Sequence, residues 1–460
     1  MISLQSRHQP LNGNDREGKV EIMSVIHRFF RLQENKTNVK TEVLAGVTTF
    51  FTMAYILLVS PSMMGQAGMD LGAVFVATAL SAAIGTFLMG VIANYPIALA
   101  PGLGLIAYFT FTVILGMNLP WQTALGAVFL SGIIFFLLTV TKVRELIINS
   151  IPSGLKYAVS SGIGIFIAFI GLKNASIIVS SESTFVMINP HLTEKPETLL
   201  TIFGLFITTV LMVRQVKGAI FIGMLITAVA GMATGQVQVP TSFFDLPPSM
   251  APTFMKLDIM GALELGLFTI VFAFLFVDLF DNAGTLVGVA SQAGLLKNNE
   301  LPRAGRALFT DSVATMLGAV FGTSTVTSYI ESSAGVATGG RTGLTSVVTA
   351  ICFLGALFFY PLIESLASVA AITSPALIIV GVLMAGNLKK IEWENLSEAI
   401  PAFITVIFMP LTFSIATGIA AGFVFYPLCK LAAGEGKKVP WIVYVLGIIF
   451  TLRFIFLGAI

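Results

Sequence analysis

The chain has 460 residues, of which 56% are hydrophobic and only 10% charged, with a formal net charge of +2. Soluble domains carry about a quarter charged residues, so this composition excludes an ordinary soluble protein, and so small a net charge gives no footing for nucleic acid. Successive apolar runs have the roughly 20 residues needed to cross a hydrocarbon core, and without period-2 alternation they read as helices rather than barrel strands.

Residues 1–40 form a polar, basic tail without the apolar stretch of a cleaved signal peptide. Spans follow at 42–62, 71–93, 95–116, 122–141, 151–173, 197–213 and 217–236. A stretch at 237–257, rich in Pro, Ser and Thr, separates them from a second set. That set runs at 261–286, 305–321, 322–338, 343–361, 368–386, 397–413 and 415–432. An apolar segment at 440–458 remains, readable as a fifteenth span or an interfacial helix.

Basic residues in short loops mark the inner side of a membrane. With Arg28, Arg31, Lys36 and Lys40 inside, fourteen spans also put Lys142, Arg144, Arg214, Lys217, Lys297, Arg303, Arg306, Arg341, Lys389, Lys390, Lys437 and Lys438 inside. The loops then placed outside, 237–257 and 362–367, hold only Lys256. The expected setting is a bacterial inner membrane with the N-terminus cytoplasmic. Seven spans is an odd number, so the second half is inverted relative to the first. Inverted repeats with broken helices are a transporter signature.

Cys352 and Cys429 sit in apolar context, and the only histidines are His8, His27 and His191. No disulfide framework, metal signature or nucleophile–base pair follows from them, which argues against an enzyme.

Two segments in third place of each half make poor membrane helices. Prolines and glycines break Asn94-Tyr95-Pro96-Ile97-Ala98-Leu99-Ala100-Pro101-Gly102-Leu103-Gly104. Hydroxyl-bearing and β-branched residues favour extended backbone in Gly322-Thr323-Ser324-Thr325-Val326-Thr327-Ser328-Tyr329-Ile330-Glu331. Such backbone is tolerated at membrane depth only where protein or a wet cavity surrounds it. Helices resuming at Ile106 and Glu331 would aim free N–H groups at mid-membrane. The plain alternative is a pair of kinked packing helices; the matched positions favour a site.

Acidic residues sharpen this. Asp278 and Asp281 are three apart on one face of span 8, and Glu331 opens the half-helix of span 10. Intramembrane carboxylates cost several kcal/mol to insert and are functional candidates. Asp311, near the end of span 9, reads as a boundary or structural residue. The Gly335–Gly343 run lacks Gly-Lys-Ser/Thr and is not a phosphate-cradling loop.

These residues resemble a known family. Gly46-Val47-Thr48-Thr49-Phe50-Phe51-Thr52-Met53-Ala54-Tyr55-Ile56, Ala98-Leu99-Ala100-Pro101-Gly102 and Val277-Asp278-Leu279-Phe280-Asp281-Asn282-Ala283-Gly284-Thr285-Leu286 are similar to motifs of the AzgA-like purine permeases. So are Tyr329-Ile330-Glu331-Ser332-Ser333-Ala334-Gly335-Val336 and Gly339-Gly340-Arg341-Thr342-Gly343-Leu344. Those permeases are a branch of the nucleobase–cation symporter-2 family.

The resemblance implies an all-α polytopic protein of the uracil-transporter fold, two inverted seven-span repeats with short antiparallel strands in spans 3 and 10. A core domain (41–147 and 261–362) would move against a gate domain (148–236 and 363–434) in an elevator-type cycle. The loop 237–260 and the C-terminal segment 435–460 stand outside both. It implies a lipid-embedded homodimer without cofactor, coupled to protons, with sodium as the alternative ion. Asp278 and Glu331 would bind the purine, with Leu105, Ile106, Thr323, Ser324, Ile330 and Ser332 lining the breaks. Asp278, Glu331 and Asp281 would serve coupling. A carboxylate suits the N–H edge of a purine, because charge-assisted hydrogen bonds are the stronger kind. The family's adenine carriers tend to hold Asn at the position of Asp278, which points here to hypoxanthine or guanine.

Two positions depart from the family pattern. Gly104-Leu105-Ile106-Ala107 stands where Gly-Leu-Asn-Ala is common, and Val59-Ser60-Pro61 where Val-Asn-Pro is common. Repeat symmetry would set Ile106 opposite Glu331, so the lost amide is expected to alter affinity or cycling. The competing readings are an anion transporter of the same architecture, which would want no carboxylates at the site, and a channel.

Overall fold

Some helix starts in this chain are made by short polar side chains that accept the first free N–H groups. Asn38 accepts from Thr41 to open span 1, and Asp70 accepts from Ala73 to open span 2. A computed structural model describes residues 24–141, 143, 150–240, 242–264, 268–296 and 301–456. The expected inner-side residues Lys142, Arg144 and Lys297 lie outside these.

Span 1 is two helices, Val39–Met53 and Ile56–Gly65, parted at Ala54 and Tyr55. Span 2 runs Leu71–Leu88 and ends in a π-helical turn, Met89–Ala93. Span 3 opens as strand β1 (Leu99–Pro101), then continues as helix Leu103–Ala107 and π-helix Tyr108–Gly116. Spans 4 and 5 are Trp121–Val140 and Ser153–Asn174. A hairpin, β2 (Ile178–Ser181) and β3 (Phe185–Ile188), leads to spans 6 and 7, Pro196–Val213 and Ala219–Ala233. Spans 8 and 9 are Phe268–Gln292 and Ala304–Phe321. Span 10 is strand β4 (Val326–Ser328) and the short helix Ser332–Ala337. Spans 11 to 14 begin with Gly343–Ala356, Ala370–Ala385, Leu396–Leu411 and Ile415–Ala432. Among the described residues, nine helices are long and apolar enough to cross a membrane, and spans 3, 7 and 13 contribute shorter apolar helices.

The two halves pack alike. Span 2 lies on span 11 as span 9 lies on span 4, and span 6 lies on span 12 as span 13 lies on span 5. Spans 5 and 12 pack on each other. The halves meet where β1 pairs antiparallel with β4, Leu99 opposite Ser328 and Pro101 opposite Val326. Spans 2 and 9 cross behind this pair: a Cβ on Gly85 would stand 2.9 Å from that of Ala314. The next residue on each helix pegs a strand. Thr86 Oγ1 donates to Leu99 O at 2.9 Å, and Thr315 Oγ1 donates to Val326 O at 2.9 Å.

Three expectations change. The stretch 362–367 is no loop, because span 11 passes through a 3₁₀ turn into helix Tyr360–Ala367. Span 8 does not end at the acidic pair; its helix runs eleven residues past Asp281, to Gln292, so both carboxylates sit mid-helix. Segment 440–458 contains a helix, Trp441–Phe456, packed along span 14. Its Phe450 meets Phe423 of span 14 and Phe272 and Phe276 of span 8, so it rises into the bundle rather than lying flat on a surface.

Near the N-terminal face, span 1 is tied to the turn after span 10. The buried Glu42 carboxylate accepts from Arg341 N, Thr342 N and Thr345 N, and from Thr345 Oγ1 at 2.6 Å. This caps span 11, as a carboxylate at a helix N-terminus should. The turn lets spans 2 and 11 close to backbone contact, since a Cβ at Gly343 would lie 1.9 Å from Gly90 O.

Candidate functional site

The site is built on the two chain breaks. Proline, alanine and β-branched residues hold Leu99–Pro101 and Val326–Ser328 extended, and their pairing satisfies backbone groups that lipid would leave bare. Beyond the strands, Gly102 N donates to Thr325 O at 3.0 Å and Tyr329 N to Ala98 O at 2.9 Å. Ser332 Oγ accepts from Ala98 N at 3.0 Å, and Tyr329 Oη donates to Pro101 O at 2.5 Å. Because the strands are antiparallel, the half-helices of spans 3 and 10 leave opposite ends of the strand pair and run apart.

Span 8 faces both breaks. A Cβ at Gly102 would lie 2.7 Å from Thr327 Cγ2 and 3.5 Å from Asp281 Oδ2, so the Asp281 carboxylate stands over the turn out of β1. One residue on, Asn282 Oδ1 accepts from Ser328 Oγ at 2.5 Å, joining span 8 to β4. Asp278 is fully buried, one turn away on the same helix. Glu331 is half-buried, and its carboxylate Oε1 accepts from Tyr55 Oη at 2.5 Å.

The structure sets Asp281 over the start of the span 3 half-helix and Glu331 at the start of the span 10 half-helix, at the two ends of the strand pair. Leu105 and Ile106 are fully buried on the span 3 half-helix, and Ile330 is 53% exposed beside Glu331. Ser332 is spent on the backbone of β1. Thr323 and Ser324 lie at the other end of β4 from Glu331; Thr323 Oγ1 approaches Met64 Sδ of span 1 at 3.8 Å. Ser60, the second departure, bonds the Thr78 hydroxyl of span 2 at 2.9 Å. The proposed opposition of Ile106 and Glu331 is corrected. Counted from the first strand residues, Leu99 and Val326, Glu331 corresponds to Gly104 and Ile106 to Ser333. One residue, Gly102, separates β1 from its helix, whereas three, Tyr329 to Glu331, follow β4.

Sequence reasoning passed over Tyr55 and Asn282. Both lie inside quoted motifs, but neither carries a charge to draw attention. The signal for Tyr55 is its place in a span whose helix stops, a site where a side chain reaches across rather than along.

Among the described residues, span 8 changes from buried to exposed along its length. From Phe274 to Phe280 span 8 is buried, yet Gly284, Val287, Gly288 and Ser291 share an exposed face. Nothing lies within 4 Å of a Cβ built at Gly284 or Gly288. Thr112 Oγ1 of span 3 donates to Phe413 O at 2.7 Å, and Ser62 of span 1 meets Thr373 of span 12 at 3.4 Å. Phe413 packs on Phe166 and Phe169 with Lys173 Nζ 5.0 Å from its ring.

Residues 40–421 match the Permease family, Xan_ur_permease. The chain is 51% identical over 441 residues to the guanine/hypoxanthine permease PbuG of Bacillus subtilis, covering 93% of this chain and 99% of that protein. It is 44% identical over 431 residues to the adenine permease AdeQ of Escherichia coli, covering 94% of this chain and 96% of that protein. Among solved structures, the transmembrane domain of a cyanobacterium bicarbonate transporter, BicA, matches with a TM-score of 0.60 at 13% identity, covering 83% of this chain and 97% of that one. At that identity the likeness speaks for the fold alone.

Proposed function

The chain belongs to this permease family and is an integral membrane transporter rather than an enzyme, and from that premise we propose that it takes up purine bases, hypoxanthine or guanine, together with protons. The observation that carries this is a carboxylate at each helix break, Asp281 beside Gly102 and Glu331 at the start of the span 10 half-helix, with Asp278 one turn from Asp281 along span 8. A purine is flat and neutral and shows N–H donors along its edges; carboxylates accept them strongly where water is scarce. Asp278 supplies an acceptor that suits the N1–H of hypoxanthine and guanine, where adenine presents a lone pair. Similarity to PbuG supports the choice, and similarity to AdeQ makes adenine the competing substrate.

The fold shared with a bicarbonate transporter raises a second reading, anion transport. Carboxylates at the breaks oppose an anion there, whereas they suit a purine.

Spans 1–4 and 8–11 act as the moving core and spans 5–7 and 12–14 as the gate, with the N-terminal face cytoplasmic. The exposed stretch of span 8 at Gly284 to Ser291 supports an inward-facing state, and an elevator-type slide would present the site to the other side. A homodimer fits such a scheme, with one half held still in the membrane. Coupling is tested by uptake at graded pH. If a carboxylate at the site carries the proton, Asp278→Asn and Glu331→Gln change the pH profile of any remaining uptake. Unchanged profiles in both variants would point to sodium or to uncoupled passage.

A further inference from the structure

We propose that Tyr55 is a positioning residue for Glu331, fixing which carboxylate oxygen meets the substrate; this rests on the purine reading of the site above. Tyr55 sits where span 1 stops and restarts, between Met53 and Ile56, and is 1% exposed. Its backbone carbonyl is used by Leu58 N and Val59 N, which anchor the residue to the second helix of the span. The phenol crosses to span 10, where Oη donates to Glu331 Oε1 at 2.5 Å. One turn earlier, Thr52 Oγ1 reaches the Glu331 backbone carbonyl at 3.4 Å. Span 1 therefore holds Glu331 by its main chain and its side chain.

A phenol has a single proton to donate, and here it goes to Oε1. Oε2 takes no proton from the phenol, and it is the oxygen assigned to an incoming N–H. An unrestrained glutamate has three rotatable bonds, and their freedom is lost on binding. Tyr55 removes that loss beforehand, which is how preorganisation raises affinity. The other phenol of the site, Tyr329, is committed to Pro101 O and cannot replace it.

The test is hypoxanthine binding to the purified full-length protein, by titration, for the parent, Tyr55→Phe, Glu331→Gln and the double variant. A hydrogen bond to a charged group is worth about tenfold or more in an equilibrium constant. We expect Kd to rise about tenfold in Tyr55→Phe, with no further rise when Glu331→Gln is already present. In uptake, KM should rise while the maximal rate stays near that of the parent. Melting temperatures measured alongside separate this from damage to the fold: a Kd change that scales with lost folded protein counts against the proposal. Equal Kd in parent and Tyr55→Phe, or additive effects with Glu331→Gln, overturn the positioning role alone. No purine binding by a folded parent overturns the purine reading, and this role with it.

Discussion

At the scale of single residues, the account rests on a few carboxylates held at defined points. Glu331 and Asp278 are expected to be the least replaceable. Glu331→Gln and Asp278→Asn should each lower the ratio of maximal rate to KM for hypoxanthine by at least about tenfold, as loss of a charge-assisted bond implies. Initial-rate uptake at matched expression measures this. Ile106 is the converse case. It is buried among apolar side chains, where the family resemblance leads to the expectation of an amide. Restoring the amide with Ile106→Asn should change hypoxanthine affinity or rate, and identical values would show that this position does not speak to the substrate. Away from the site, Glu435 lies in the turn after span 14. Hydrogen bonds from Lys438 and Lys430 hold its carboxyl at about 2. A carboxyl lowered on folding stabilises the protein above its unfolded value of roughly 4.3, and that contribution fades as pH falls towards about 2. The melting-temperature gap between parent and Glu435→Gln should therefore be present at neutral pH and close on acidification. A gap that widens in acid would contradict the assignment.

At the scale of elements, the site depends on two strands that no lipid-facing backbone could form alone. Thr86 and Thr315 peg them at matching places: each hydroxyl donates to a strand carbonyl, and that of Thr86 also accepts from Leu99 N. Thr→Val at either position keeps the shape and removes the donor, leaving a buried carbonyl with one bond fewer. About 1–3 kcal/mol of stability should go with it, read as a fall in melting temperature in detergent, together with weaker purine binding. Unchanged stability and binding in both variants would deny the strands this support. Much of the element scale was legible in the sequence, because prolines, glycines and β-branched residues in matching places speak directly about backbone. The end of span 8 was not legible. Gly284, Gly288 and the polar residues around Ser291 look like a helix terminus by composition, yet the helix continues with that face exposed. The alignment of Ile106 with Glu331 failed for a related reason: spacing along the chain does not reveal how many residues each break needs before its helix restarts. Tyr55 could not be ranked from sequence, since its partner is 276 residues away.

At the scale of the whole molecule, two halves of matching packing meet at the paired strands. Gly284, Val287, Gly288 and Ser291 of span 8 are exposed, while Ser62 of span 1 meets Thr373 of span 12. In a background with Cys352 and Cys429 replaced, Gly288→Cys should react with a membrane-impermeant thiol reagent applied from the cytoplasmic side, while Ser62→Cys should stay protected. The reverse pattern would contradict both the sidedness and the inward-facing state. The fold is shared with a bicarbonate transporter at 13% identity, so the fold by itself does not define the cargo. The most direct measurement is uptake of radiolabelled hypoxanthine by cells that lack purine uptake of their own and express either this chain or Glu331→Gln. Saturable uptake that is suppressed by guanine, left intact by bicarbonate and reduced about tenfold or more in Glu331→Gln is the predicted result. A well-expressed parent with no saturable purine uptake, or with uptake indifferent to Glu331, would contradict the account.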